Sequence, residues 1–170
     1  TTSSIIAGIN WALDPDGNSS TKDGADIISM SFGGSLTDLD GPLASAIKDA
    51  IDDGVVFVAA SGNCRQGCGG FFGVTMPGSM PEVITVGAVN ENNKIASFSS
   101  GDTFSNYIKP DVVAPGVNIM SATKNNGYKS ASGTSMSTPM IAGLIALMLE
   151  KENLSHAQIK EKLENTAIDL

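Results

Sequence analysis

Val55-Val56-Phe57-Val58-Ala59-Ala60 is six apolar residues in a row, led in by Gly54 and followed by Ser61-Gly62-Asn63. A strand with one wet face alternates apolar and polar residues. An uninterrupted run of this length suits a strand covered on both faces, the setting of a parallel sheet between helices. Val83 to Val89 repeats the pattern, and Val112 to Ala114 and Asn118 to Ser121 are shorter candidates. Upstream, Asp26 to Phe32 reads as a strand broken by Gly33-Gly34. Ile5, Ile6, Ile9 and Ala12 lie on one helical face ended by Pro15-Asp16-Gly17; Leu43, Ile47, Ala50 and Ile51 lie on another, closed by Gly54. The order of elements predicts an α/β fold, with a mostly parallel sheet flanked by helices. In such sheets active residues collect at the carboxyl ends of the strands.

The 170 residues suffice for one compact unit spanning 1–170, with no repeat or linker within it. Ten Lys+Arg against eighteen Asp+Glu give a formal charge of -8. That argues against nucleic acid or an anionic membrane as partner, since both select basic surfaces. No apolar run approaches the ~20 residues of a membrane span, and Met140 to Leu149 reads instead as a helix buried on every side. Thr1 to Ser4 has neither the basic start nor the apolar core of a secretory signal, and Met does not open the chain. A fragment or processed product is therefore expected. Cys64 and Cys68 share one loop; a small-loop disulfide formed in an oxidising compartment is preferred over free thiols or a metal site.

The segment that carries chemistry is Ser132-Gly133-Thr134-Ser135-Met136-Ser137-Thr138-Pro139, directly before that apolar helix. Ser135 is expected at the positive end of the helix dipole, where free backbone N–H groups stabilise negative charge on a substrate oxygen. Thr134 or Ser135 as an ordinary N-cap is the simpler reading. Pro139 argues against it, because it leaves the Ser135 carbonyl without its helical partner. An α/β-hydrolase elbow, Gly-x-Ser-x-Gly, fails because Ser137 stands where the second Gly belongs.

The string GTSMSTPMIAG resembles the nucleophile segment of the subtilases, the subtilisin-like serine proteases, whose pattern is Gly-Thr-Ser-Met-x-x-Pro. Ala59-Ala60-Ser61-Gly62-Asn63 resembles the family's oxyanion segment, Ser29 to Gly34 its substrate-pairing strand, and Lys109 to Ile119 and Leu163 to Ala167 match as well. The resemblance implies an incomplete three-layer, subtilisin-like peptidase domain represented by its C-terminal part. It implies an acyl-enzyme on Ser135, with Asn63 and the Ser135 N–H holding the oxyanion. An extended polypeptide substrate would pair along Ser31, Phe32 and Gly33 and face Ala60, Ser61 and Gly62 across the primary pocket. An extracellular or secreted location follows from the same resemblance.

Two members of the triad have no counterpart. The family's Asp and His segments are absent, and the sole histidine, His156, follows Ser155 in a capping box closed by Gln158. The expectation is a serine endopeptidase whose base and orienting carboxylate lie in a missing N-terminal part, the isolated chain being inactive and prone to self-association through an exposed sheet edge. The alternative is a non-catalytic peptide-binding or assembly module derived from a subtilase. No cofactor is required for the chemistry. Calcium is common in the family, so structural calcium is compatible with the resemblance. The Asp14-Pro15-Asp16-Gly17-Asn18 stretch reads as a plain turn rather than a calcium loop, with Ser19 in place of the loop glycine and Ala25 in place of the bidentate Glu.

Overall fold

The computed structural model describes residues 1–18, 20–21, 23–34, 39–69 and 73–170; Ser19, the residue tested against a calcium loop, lies outside them. Helices α1 (Thr2–Leu13), α2 (Pro42–Asp52), α3 (Thr134–Lys151) and α4 (His156–Thr166) surround a sheet of β1 (Ile27–Met30), β2 (Val56–Ala60), β3 (Ile84–Val89) and β6 (Val112–Pro115). The sheet is parallel throughout, in the order β1-β2-β3-β6. Two antiparallel pairs lie outside it, β4 (Asp102–Thr103) with β5 (Ile108–Lys109), and β7 (Ile119–Thr123) with β8 (Gly127–Ala131).

All five residues of β2 are buried, and they point alternately to two cores. Phe57 and Ala59 join Leu43, Ala44, Ile47 and Ala50 of α2 and Ile9 of α1. Val56 and Val58 join Ile84 and Val86 of β3, Ile141 and Ile145 of α3, and Ile159 and Leu163 of α4. A helical layer on each face leaves no place for a polar residue, which is why the run at 55–60 does not alternate. The result is the expected three layers. Local chemistry sets the helix ends: the Thr1 hydroxyl accepts from Ser4 N–H, Pro42 opens α2, and Ser155 and Gln158 form the predicted capping box.

Three expectations change. Strand β1 stops at Met30, short of Phe32, and the chain then leaves the sheet to make a single bridge between Gly34 and Met76. Asn118 to Ser121 belongs largely to β7, in a two-stranded ribbon outside the sheet. The third correction concerns the apolar helix. It begins at Thr134 and includes Pro139, and it is not buried on every side: Leu144 is 44% and Leu147 59% exposed. The sheet and α4 cover only the face of Ile141 and Ile145, so an all-round apolar sequence has a two-sided environment here.

Candidate active site

Ser135 is the second residue of α3. Its N–H lies in the first turn, where the helix itself offers no acceptor. The chain reaches it from the carboxyl end of β6: Gly116 N–H donates to Val89 O, and Gly133 N–H donates to Gly116 O, at 2.9 and 2.8 Å. Ser137 Oγ donates to Ala114 O at 3.0 Å, tying the first turn of α3 to the same strand.

Asn63 caps this helix from outside it. Its Oδ1 accepts from Thr134 N–H at 2.9 Å and from Thr134 Oγ1 at 3.1 Å. Thr134 Oγ1 in turn accepts from Gly62 N–H at 3.2 Å. Gly133, the N-cap, makes no side-chain capping bond. A Cβ there would sit 3.3 Å from Asn63 Nδ2, so its lack of a side chain lets the asparagine come close. With Oδ1 engaged twice, Nδ2 is the donor that remains uncommitted among the described hydrogen bonds. Gly62 holds φ at 104°, a conformation that side chains rarely adopt, and a Cβ there would crowd Thr75 and Ser100 at 3.0 to 3.3 Å.

The carbonyl orphaned by Pro139 has a partner. Ser31 Oγ donates to Ser135 O at 2.9 Å, and Ser135 Oγ donates back to Ser31 O at 2.9 Å. The first bond replaces the helical hydrogen bond that Pro139 cannot give. The second parks the Ser135 hydroxyl proton on the segment following β1.

A cavity of about 270 Å³ lies beside these groups, lined by Phe32, Gly33, Ala60, Gly62, Thr75, Cys64 and Cys68 together with Asn63, Thr134 and Ser135. Four of the six residues expected to bind substrate line it: Phe32, Gly33, Ala60 and Gly62. Ser31 reaches the site through its bonds to Ser135. Ser61 does not, being fully buried, its hydroxyl without a partner among the described residues. Sequence reasoning missed Thr134 and Thr75. The fixed Thr of Gly-Thr-Ser was a signal for the first; nothing local marks Thr75. Cys64 and Cys68 are joined as a disulfide with Cα atoms 5.1 Å apart.

His156 sits elsewhere, at the amino ends of the strands. It bonds Glu82 O through Nε2 at 2.7 Å and accepts Phe57 N–H on Nδ1 at 3.4 Å. Burial pushes its pKa below the ordinary value. Nearby, Lys109 Nζ is wholly buried and donates to Val83 O at 2.6 Å and to Asp111 at 2.7 Å. Burial, opposed by Asp111, brings its pKa down to about 8. Asp111 also pairs with Lys160 at 2.9 Å. In the turn after α1, Asp14, Asp16 and Asp23 bring carboxylate oxygens within 4.8 Å of one another. Asp14 and Asp16 both accept from Asn18 N–H, which is turn geometry. None of the helices among the described residues is long and apolar enough to cross a membrane.

Known proteins resemble this chain in sequence and in fold. The sequence model of the Subtilase family matches residues 1–170. Subtilisin E of Bacillus subtilis (strain 168) is 39% identical over 164 residues, covering 96% of this chain and 39% of that protein. Subtilisin DY of Bacillus licheniformis is 38% identical over 175 residues, covering 100% of this chain and 57% of that protein. A crystal structure of a cold adapted subtilisin-like serine proteinase superposes with a TM-score of 0.80 at 34% identity, covering 98% of this chain and 55% of that one. The chain thus spans from 39% to 57% of the length of these relatives. By family match, identity and fold together, the chain belongs to the subtilase family.

Proposed function

We propose that this chain is the nucleophile-bearing C-terminal part of a secreted serine endopeptidase, which cleaves polypeptides through an acyl-enzyme on Ser135. One observation carries the reading: Asn63 and Ser135 line the same cavity, and Asn63 is fixed by Thr134 through its acceptor atom, leaving its donor for a substrate. A peptide laid along Ser31, Phe32 and Gly33 would place its scissile carbonyl at Ser135. Attack would build an oxyanion, held by Asn63 Nδ2 and the Ser135 N–H at the positive end of α3. The alcohol becomes a competent nucleophile only when a base takes its proton from Ser31 O. We assign that base and its carboxylate to polypeptide beyond these 170 residues, since His156 is held between Glu82 O and Phe57 N–H at the amino ends of the strands. The chemistry calls for no cofactor, and the 170 residues alone are expected to turn over negligibly.

The test is made on the full-length protein. A fluorophosphonate should label Ser135, and Ser135→Ala should cut hydrolysis of an unfolded protein substrate about a million-fold, a magnitude taken over from subtilisin. Hydrolysis that survives the substitution sinks the proposal. A second reading, a peptide-binding module without catalysis, draws on the lack of a histidine beside Ser135; calorimetric binding of an extended peptide by the full-length protein, without cleavage, is its signature.

A further inference from the structure

We propose that the Cys64–Cys68 disulfide is a specificity-determining element, forming the wall of the cavity that receives the side chain just before the scissile bond and favouring large, uncharged side chains there. The inference rests on the proteolytic reading above. If the scissile carbonyl lies between Ser135 and Asn63, the side chain of that residue enters the cavity both of them line. Among the described residues no charged side chain lines it, and Gly33, Ala60 and Gly62 leave its other walls low. The two cysteines supply bulk where the glycines supply space.

What holds that bulk in place differs along the loop. Its first half is anchored by hydrogen bonds: Ser100 N–H to Gly62 O at 2.9 Å, Cys64 N–H to Ser100 Oγ at 2.9 Å, and Arg65 N–H to Phe98 O at 3.3 Å. Its second half, Gln66-Gly67-Cys68-Gly69, is exposed and glycine-rich. Among the described hydrogen bonds it is tied by Gly67 N–H to Cys64 O at 2.9 Å and by the weak contact of Cys68 Sγ with Asn63 O at 3.7 Å, and the Cys68 backbone takes part in one isolated β-bridge. Gly67 and Gly69 both take positive φ, 94° and 58°, and are free to take many other values. The covalent bond is what fastens the Cys68 side chain to the anchored first half of the loop and so sets it against the cavity. Without it the Cys68 side chain is free to leave the wall, while Asn63 keeps its place on Thr134 from the other side. Substrate discrimination should change more than the chemical step. Because Cys68 is exposed, a dithiol can reach the bond. Thiol–disulfide exchange then leaves two cysteine thiols and oxidises the reagent to its cyclic disulfide.

The experiment compares oxidised full-length enzyme, the same enzyme reduced by dithiothreitol with its open thiols titrated, and the double variant Cys64→Ser/Cys68→Ser. Each is given peptides differing only in the residue before the scissile bond: Phe, Leu, Ala or Lys. The kcat/KM ratio of Phe over Ala should fall roughly tenfold in both altered forms. The change should sit mainly in KM, and reoxidation should restore the ratio. An unchanged ratio in reduced wild type with titrated thiols overturns the inference. An equal fall for all four peptides, carried by kcat, also overturns it, as the mark of a merely structural bond. If the oxidised enzyme cleaves none of them, the proteolytic reading falls and this inference with it. The reduced wild type keeps the test open should the double variant fail to fold.

Discussion

The two ends of the parallel sheet are made of opposite materials. At the carboxyl ends stand neutral groups: Ser31, Asn63, Thr134 and Ser135, with glycines at 33, 62 and 133. At the amino ends lie buried or half-buried charges, with Lys109 only 1% exposed, Asp111 against it and Lys160 paired with Asp111, and the neutral ring of His156 lies beside them. The charges are spent. Lys109 reaches Val83 O and Asp111, while Asp111 accepts from Thr85 N–H and pairs with Lys160. At the other end, donors are withheld: neither Asn63 Nδ2 nor the Ser135 N–H has an acceptor among the described hydrogen bonds. A group with every partner in place clamps the fold, and one kept short of a partner is ready for a substrate.

The largest effect expected at the clamped end comes from Asp111→Ala. It strands a buried ammonium, which typically costs about 3–5 kcal/mol. It also removes the acceptor of Thr85 N–H at the start of β3. Urea unfolding measures the loss. The rate at which folded protein is phosphonylated at Ser135 should stay the same, since the clamp is remote from the cleft. A loss under about 1 kcal/mol, in the range of an exposed ion pair, would erase the contrast between the ends.

Asn63 sharpens the comparison, because it holds both roles on one side chain. Asn63→Ala in the full-length enzyme should lower kcat by roughly 10²–10³, the loss measured for the oxyanion asparagine of subtilisin. It should also cost about 1 kcal/mol of stability, for the lost cap on Thr134. Asn63→Asp separates the two. The carboxylate still accepts from Thr134 and suits the helix N-terminus, but offers the oxyanion no donor. Stability should be kept and activity lost. An aspartate variant with wild-type kcat would remove Asn63 from the chemistry.

What the sequence disclosed was local. The apolar run of β2, the Gly-Thr-Ser segment, the asparagine after the strand and the cysteine pair are each read from neighbours in the chain. What it concealed depends on distant residues. Ten apolar residues at 140–149 do not say how many sides a helix will have covered, and only the packing shows Leu144 and Leu147 exposed. Strand β8, Gly-Tyr-Lys-Ser-Ala, has no buried face and so no alternation to detect. Lys109 in a Lys-Pro-Asp string looks like a surface cation. Its burial follows from Val83 O and Asp111 being brought around it. Asp23 gave no sign that it would join Asp14 and Asp16.

The smallest effect expected belongs to His156, and it tests whether the amino end is as fully partnered as it looks. Its ring accepts from Phe57 N–H on Nδ1 and bonds Glu82 O through Nε2, an arrangement that needs the neutral imidazole protonated on Nε2. A second proton would set Nδ1–H against Phe57 N–H, two donors facing each other. Burial is the main cause of its lowered pKa, and Lys160 and Lys109 push the same way, while the Glu82 carbonyl and Asp111 oppose. For a base whose folded pKa lies below its unfolded value, the unfolded chain takes up protons first as pH falls. The stabilisation is thus complete above the unfolded value near 6.5 and is lost as pH drops through the lower folded value. Wild type and His156→Gln, melted from pH 7.5 to 4.5, should run parallel above about pH 6.5 and converge below it, because the histidine takes up a proton on unfolding there and the glutamine does not. Parallel curves across the whole range would mean that the ring is protonated without penalty, and that α4 is held to β2 by its apolar face alone.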